Sequence, residues 1–125
     1  MFGLKESQID KIIHCFAKYE SIDRVIVYGS RAKGNFIPGS DLDLTIVEKG
    51  MNQEEIVRLE NQLDDLLLPY KIDLSLKRQI NNPELLAHIE RVGQIFYDKI
   101  RQNILNEASP EYEEKTGQKT KKNRP

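Results

Sequence analysis

The stretch VYGSRAKGNFIPGSDLDLTIVEKG, residues 27–50, is the most informative part of this sequence. An apolar run ends there at Gly29 and Ser30, and ten residues later Asp41 and Asp43 stand inside a second apolar run. Residues i and i+2 of a strand share one face, so these two carboxylates point into the same space, about 6.5 Å apart. Two like charges held so close together in a strand indicate a specific chemical role.

A divalent cation is the simplest way to stabilise the aspartate pair. Neighbouring carboxylates in a partly desolvated setting raise each other's pKa unless a cation compensates. Carboxylate oxygens are the ligands that Mg²⁺ and Mn²⁺ prefer. We therefore predict a metal site at Asp41 and Asp43, for which Asp73 on a later strand is a candidate third ligand or proton acceptor. For Asp73 alone, a solvated position on the polar face of a sheet is equally well supported.

The Gly-Ser pair has the features of a phosphate-binding turn. Gly29 permits close approach of the backbone, and Ser30 at the start of a short helix offers a hydroxyl and exposed N–H groups to an anion. Arg31 and Lys33 follow, where they can neutralise phosphate charge. Taken singly, each of these residues is uninformative. Together with the aspartates they predict a site with a cationic side and a metal-binding side, as triphosphate chemistry requires.

The flanking sequence predicts an α+β fold of two layers, in which a small mixed sheet of three to four strands is flanked by helices. Apolar residues at three- and four-residue spacing predict helices over 5–19, 52–68 and 84–91, and the stretch 30–40 has room for one or two helical turns. Short apolar or alternating runs predict strands over 24–29, 41–48, 71–76 and 94–98. The second long helix is predicted to bury five apolar residues: Ile56, Leu59, Leu63, Leu66 and Leu67.

Length and composition predict one domain over residues 1–105 and a flexible charged tail over residues 106–125. The formal net charge of −1 argues against general nucleic-acid binding. The single cysteine, Cys15, excludes an intramolecular disulfide and suits a reducing compartment. Neither a membrane span nor a signal peptide is recognisable, so we expect a cytoplasmic protein that does not associate with membranes.

The segment GSRAKGNFIPGSDLD, residues 29–43, resembles the signature of the DNA polymerase β-like nucleotidyltransferases, in particular their minimal nucleotidyltransferase (MNT) domains. The resemblance extends over residues 5–98 in the order of elements, and it implies the polymerase β-like fold. It also implies that Gly29 and Ser30 hold the nucleotide phosphates. With the cationic side chains that follow and the matching serine of the motif, the predicted phosphate-binding set is Gly29, Ser30, Arg31, Lys33 and Ser40. By the same resemblance, Asp41 and Asp43 bind Mg²⁺ or Mn²⁺, and Asp73 is the predicted third member of the metal site. Asp73 would also assist attack on the α-phosphate, with pyrophosphate leaving.

The family resemblance also implies an acceptor. Larger members carry an additional domain that binds the acceptor, and we predict none here, so we expect recognition to depend on another polypeptide. Small MNT proteins act as antitoxins of HEPN-domain ribonuclease toxins, and characterised types transfer AMP from ATP to a toxin tyrosine. We therefore expect an ATP-dependent antitoxin that assembles with a HEPN toxin. Two alternatives stay open: a non-catalytic antitoxin that inhibits by contact, and an aminoglycoside-type small-molecule nucleotidyltransferase.

The two histidines are interpreted as structural or surface residues. His14 falls in the first predicted helix and His88 in the third, and neither has a cysteine or a second histidine at metal-ligand spacing. Tyr28, directly before the Gly-Ser pair, is interpreted as a buried strand aromatic.

Overall fold

The structure, a computed structural model, describes residues 1–107. Among these residues, no helix combines the length and the apolar character needed to cross a bilayer. The helices and strands follow one another as α1 (Glu6–Ala17), β1 (Ile22–Tyr28), α2 (Gly29–Lys33), β2 (Leu42–Glu48), α3 (Gln53–Asp64), β3 (Ile72–Leu76), a 3-10 turn (Lys77–Gln79), α4 (Pro83–Val92), β4 (Gln94–Asp98) and α5 (Lys99–Glu107).

The four strands form one mixed sheet in the order β3-β2-β1-β4. β1 is antiparallel to both β2 and β4, whereas β2 and β3 are parallel and are joined by the α3 crossover. β1 is therefore an interior strand, as its β-branched run predicts. This mixed sheet with its helices confirms the predicted α+β class.

One face of the sheet carries the main hydrophobic core. The alternation in β2 turns Leu42, Leu44 and Ile46 to this face, where all three are fully buried. They form one cluster with the buried stripes of α1 and α3, in which Ile12, Phe16 and Leu59 are fully buried. Each such side chain contributes roughly 1.5–3 kcal/mol on burial. The apolar face thereby fixes the register that sends the alternate residues of β2 to the other side.

Helix α4 covers part of the opposite face. It begins where the Asn82 side chain accepts hydrogen bonds from the Glu84 and Leu85 N–H groups, with Pro83 at the first helical position. It ends at Gly93, where an added Cβ would meet the carbonyl oxygen of Ile89 and lie 2.9 Å from the Ile26 side chain. α4 therefore packs closely on β1, on the face that also carries Asp43.

Helix α3 is shorter than its apolar pattern predicts. It ends at Asp64, and Leu67 lies beyond it in the left-handed region with φ +53° and 87% of its surface exposed. The prediction that Leu67 is buried was wrong, because the helical turn that would direct it inward is not formed.

Helix α5 was not predicted. Asp98 caps it by accepting hydrogen bonds from the N–H groups of Ile100 and Arg101. Ile100 and Ile104 are exposed, so the helix lacks the buried stripe on which a sequence-based helix prediction depends. The predicted flexible tail over residues 106–125 lies almost wholly outside the described residues.

Candidate functional site

Asp43 and Asp73 are direct partners across the parallel pair of β2 and β3. Neighbouring strands lie about 4.8 Å apart, so the two side chains leave the sheet side by side. Asp41 stands two residues before Asp43, immediately ahead of the first residue of β2. Asp43 is half-buried, whereas Asp41 and Asp73 are exposed. The structure therefore brings the three predicted aspartates to one face at one end of the sheet.

The electrostatics of Asp43 show that the three carboxylates act on one another. Burial raises the pKa of the Asp43 carboxyl above its ordinary value of 3.8, and the carboxylates of Asp73 and Asp41 raise it further. The nearby His88 imidazole lowers the pKa of Asp43, but its effect is smaller than those of burial and the two carboxylates. The site therefore carries an excess of negative charge. A cation bound there would reduce the repulsion among the carboxylates.

The donor set suits a divalent cation that is shared with a bound phosphate. Within residues 1–107, no three His, Cys, Asp or Glu side chains gather closely enough to form a complete set of metal ligands. That Asp73 joins Asp41 and Asp43 as a third metal ligand stays a prediction. Mg²⁺ is usually held by one or two carboxylates together with water and substrate phosphates. Asp41 and Asp43 fit that pattern.

The Gly29 bend lies directly against Asp43. Gly29 has φ +75°, a conformation that favours glycine. A Cβ built at Gly29 would collide with Oδ2 of Asp43. Only glycine therefore allows the chain to turn from β1 into α2 while the carboxylate stays where it is. The contact joins the predicted phosphate-binding turn to the predicted metal ligand.

The remaining residues of α2 differ in their exposure. Ser30 is half-buried directly beside the bend, and its carbonyl accepts the Gly34 N–H that ends the helix. Lys33 is exposed in the last turn, where its ammonium is accessible to a ligand. Their predicted phosphate contacts remain predictions, and both residues are positioned where such contacts can form.

Arg31 is engaged in the protein interior, with 4% of its surface exposed. Its Nε donates to the Ser40 carbonyl at 3.0 Å and its Nη1 donates to the Phe2 carbonyl at 2.8 Å. The guanidinium lies between the rings of Phe36 and Tyr70, 5.2 and 4.8 Å from their centroids. These contacts support the loop that leads into Asp41. This geometry does not support the phosphate contact expected for Arg31, because its guanidinium already donates hydrogen bonds to backbone carbonyls of the protein.

Ser40 also supports this loop. Its hydroxyl accepts the Ile37 N–H at 3.0 Å, and its own N–H donates to the Ile37 carbonyl at 3.0 Å. The two hydrogen bonds close a tight turn directly before Asp41. Ser40 therefore fixes the entry into β2, and its predicted phosphate contact remains a prediction.

We expect Arg31→Met to destabilise the domain by about 2–3 kcal/mol. The change keeps much of the apolar stem but removes two charge-assisted hydrogen bonds and two cation–π contacts. Chemical denaturation measures the loss. Lys33→Met is the matched control, because it removes the same charge from an exposed position of the same helix, and we expect its effect to stay within about 0.5 kcal/mol. Equal stability of the two variants, together with weakened nucleotide binding in Arg31→Met, would instead support phosphate binding by Arg31.

His88 joins the site from α4, against the sequence-based interpretation of it as a merely structural or surface residue. Its Nε2 accepts the Gly29 N–H at 3.1 Å, and its ring packs edge-on against Tyr28 with the centroids 6.2 Å apart. Fifty-nine residues separate His88 from Gly29 along the chain. Residue spacing along the chain cannot predict this contact, because it forms only when α4 packs on β1.

A second polar pair, Thr45 and Ser75, lies two residues further along β2 and β3 on the same face as Asp43 and Asp73. Thr45 is fully buried next along β2, and its partner across β3 is Ser75. The Ser75 hydroxyl donates to Thr45 Oγ1 at 3.0 Å, and Thr45 Oγ1 donates to the Ser75 carbonyl at 3.4 Å. This pair ties β3 to β2 directly behind Asp73 and so holds the aspartates in register. In the sequence, the alternation of apolar and polar residues in β2 and β3 places Thr45 and Ser75 on the same face as the aspartates.

Solved structures of similar fold come from toxin–antitoxin complexes. A toxin–antitoxin with AMP-PNP aligns with a TM-score of 0.58 and 18% identity, over 82% of this chain and 80% of that one. A tri-AMPylated HEPN toxin of Shewanella oneidensis in complex with its MNT antitoxin aligns with a TM-score of 0.56 and 15% identity, over 82% and 79%. The toxin–antitoxin MntA-HepT gives a TM-score of 0.56 at 16% identity, over 81% and 79%. At such low identity these likenesses establish the fold alone.

Sequence comparison establishes the family. No curated protein matches the chain with significance. The family model described as "Polymerase beta, Nucleotidyltransferase" matches residues 10–102, which include the Gly29 bend, the three aspartates and His88. That match covers well over half of the sequence and agrees with the sheet order and with the carboxylates beside the bend. The chain belongs to the polymerase β nucleotidyltransferase family.

Proposed function

We propose that this nucleotidyltransferase is an antitoxin that transfers AMP from ATP to a tyrosine hydroxyl of a partner HEPN ribonuclease toxin and so inactivates it. The proposal has three parts: the nucleotide is ATP, the acceptor is a protein, and the acceptor is the toxin with which the chain assembles. Each part can be tested separately.

The observation that carries the proposal is the contact between Asp43 and the Gly29 bend. It joins a carboxylate of the strand to a backbone turn at which a Cβ would collide with the carboxylate. The direct pairing of Asp43 with Asp73 adds a second carboxylate on the same face. A surface used only for contact with a partner gains little from repelling carboxylates. This geometry favours catalysis over passive binding.

The solved structures of similar fold support the choice of nucleotide and acceptor. One is a toxin–antitoxin with the ATP analogue AMP-PNP, and another contains a HEPN toxin that is tri-AMPylated and bound to an MNT antitoxin. By analogy we assign ATP as the nucleotide and a HEPN protein as the partner of this chain.

The residues of the site have separate roles in the proposed reaction. Ser30 and Lys33 would bind the triphosphate through hydroxyl and ammonium hydrogen bonds. Asp73, exposed beside Asp43, would accept the proton of the attacking hydroxyl. The acceptor oxygen forms a bond to the α-phosphorus, the bond from that phosphorus to the bridging oxygen of the β-phosphate breaks, and pyrophosphate leaves. Held by Asp41 and Asp43, Mg²⁺ or Mn²⁺ would supply neutralisation of the phosphate charge.

Transfer of label tests the proposal. The chain is incubated with Mg²⁺, ATP labelled in the α-phosphate, and a candidate HEPN protein, for which the product of the neighbouring gene is tried first. We expect label on the HEPN protein, and we expect it to be lost when the acceptor tyrosine, located by mass spectrometry, is replaced by phenylalanine. Ribonuclease activity of the labelled toxin should fall in step with the label.

The same assay separates the alternatives. Inhibition of the ribonuclease without label on it would contradict transfer and leave a contact antitoxin. Pyrophosphate release with an aminoglycoside, and no label on the HEPN protein, would point to a small-molecule acceptor. ATP labelled in the γ-phosphate is the control, since its label must leave with pyrophosphate and appear on no protein.

A further inference from the structure

His88 is the one residue of α4 that hydrogen-bonds the Gly29 bend. Its Nε2 accepts the Gly29 N–H at 3.1 Å, and the ring is half-buried against Tyr28. The bend is thus fixed from two sides. Asp43 fills the space where a Cβ would be, and His88 binds the amide of the same residue.

The hydrogen bond fixes the chemical form of His88. A backbone N–H only donates, so the Nε2 that accepts it carries no proton, and the ring proton lies on Nδ1. The imidazole is therefore neutral when it holds the bend. A neutral acceptor satisfies the Gly29 amide without adding charge beside the triphosphate site.

Binding of the Gly29 amide has a consequence for the phosphate site. Once His88 occupies the Gly29 N–H, this amide is no longer a free donor for a phosphate. The donors that the bend leaves available are then those of Ser30, whose hydroxyl lies one residue further along α2. Glycine adopts many backbone conformations readily, so the direction of Ser30 depends on the contacts that hold Gly29 at its φ of +75°.

We propose that His88 is a positioning residue of the nucleotide site, which holds the Gly29 bend through the Nε2 acceptor so that Ser30 faces the triphosphate. The inference rests on the proposed nucleotide-binding role of the bend. It adds a residue that acts through the backbone without touching the nucleotide, and it connects α4 to the phosphate site.

Two substitutions separate the hydrogen bond of His88 from the packing of its ring. His88→Phe keeps an aromatic ring against Tyr28 and removes the acceptor. His88→Gln removes the ring and offers its Oε1 acceptor at the same number of bonds from Cα as the histidine Nε2. His14→Gln, on the exposed surface of α1, controls for handling and for loss of a histidine.

The binding of Mg²⁺–ATP is the main readout, measured by calorimetry on the full chain. We expect the dissociation constant to rise roughly three- to tenfold in His88→Phe, the worth of one hydrogen bond, and to return near the wild-type value in His88→Gln. In the transfer assay the loss should appear in KM for ATP more than in kcat. Thermal unfolding of both variants checks that the fold is intact.

A spectroscopic measurement observes the contact itself. In protein labelled with ¹⁵N, a scalar coupling between the Gly29 amide nitrogen and His88 Nε2 is expected, and it should be absent in both variants. This readout does not depend on catalysis, so it distinguishes a failure of the inference from a failure of the proposed function.

Three results would overturn the inference. The coupling could be absent in the wild type. His88→Phe could bind Mg²⁺–ATP as the wild type does while His88→Gln binds weakly, which would assign the effect to ring packing. His88→Phe could also bind the nucleotide more tightly, which would show that the imidazole competes with phosphate for the Gly29 amide. If the inference holds for nucleotide binding but the wild type labels no HEPN protein, the proposed transfer to that protein is wrong while the positioning role of His88 stands.

Discussion

Replacing Asp41 and Asp43 by asparagine is expected to abolish nucleotidyl transfer while the domain stays folded. Asparagine keeps the size of each side chain but removes the charge that would hold a divalent cation. We expect a loss on the order of 10³-fold or more in kcat/KM, which corresponds to about 4 kcal/mol of transition-state stabilisation. The assay is transfer of α-phosphate label, run with saturating Mg²⁺.

The stability of the double variant gives an independent signature. Because burial and the neighbouring aspartates raise the pKa of the Asp43 carboxyl, its ionisation is less favourable in the folded state than in the unfolded chain. Wild-type stability therefore falls as pH rises from the ordinary value of 3.8 through the raised pKa. Above that interval the double variant should be the more stable protein, and below it the difference should vanish. Thermal unfolding at neutral and acidic pH measures this.

The control for charge is Asp64→Asn with Asp65→Asn, an exposed pair at the end of α3. It removes the same two charges away from the site and should transfer AMP at the wild-type rate. Addition of Mg²⁺ and ATP should raise the melting temperature of this control and of the wild type, but not that of the site variant. Unaltered transfer by the Asp41 and Asp43 variant would exclude these residues from catalysis.

Gly29→Ala is expected to destabilise the domain markedly. Two costs combine: a left-handed φ of +75°, worth about 1–2 kcal/mol, and a collision of the new Cβ with the Asp43 carboxylate. Overpacking of this kind typically costs about 1–3 kcal/mol, so we expect a total loss of roughly 2–5 kcal/mol in unfolding free energy. Transfer should be lost as well, since either the bend or the carboxylate must move.

Gly39→Ala separates the two costs. Gly39 has φ +89°, and a Cβ there would meet nothing within 4 Å. It should therefore show the backbone cost alone and keep wild-type nucleotide binding. Chemical denaturation and calorimetry with Mg²⁺–ATP on both variants make the comparison. If Gly29→Ala resembled Gly39→Ala in both measurements, the close packing of the bend on Asp43 would not matter to the site.

Much of the fold follows from local patterns. The apolar run of β1 and the alternation of β2 predict both strands, and α4 is marked by Asn82 and Gly93 at its two ends. Helix α5 escapes prediction because its apolar residues face solvent, although Asp98 is a recognisable cap. The prediction of a buried Leu67 fails because apolar spacing does not reveal where the last helical turn stops.

The site is predictable only where it is local in sequence. The spacing in the sequence marks the Gly29 bend and the two aspartates Asp41 and Asp43. The pairing of Asp73 with Asp43 depends on the order of the strands in the sheet, which the spacing does not determine. Arg31 shows a further limit, since a buried arginine bound to carbonyls and a phosphate-binding arginine look alike in sequence. His88 reaches the site only through the packing of α4.

We propose that Asp41, Asp43 and the Gly29 bend bind one metal–nucleotide complex. Paramagnetic broadening of backbone amide signals by Mn²⁺, added with a non-hydrolysable ATP analogue, measures this binding site. We expect strong broadening at Gly29, Ser30, Asp41 and Asp43 in the wild type, and none there when Asp41 and Asp43 are replaced by asparagine. Broadening that is centred elsewhere, or that this substitution leaves unchanged, would exclude the shared site.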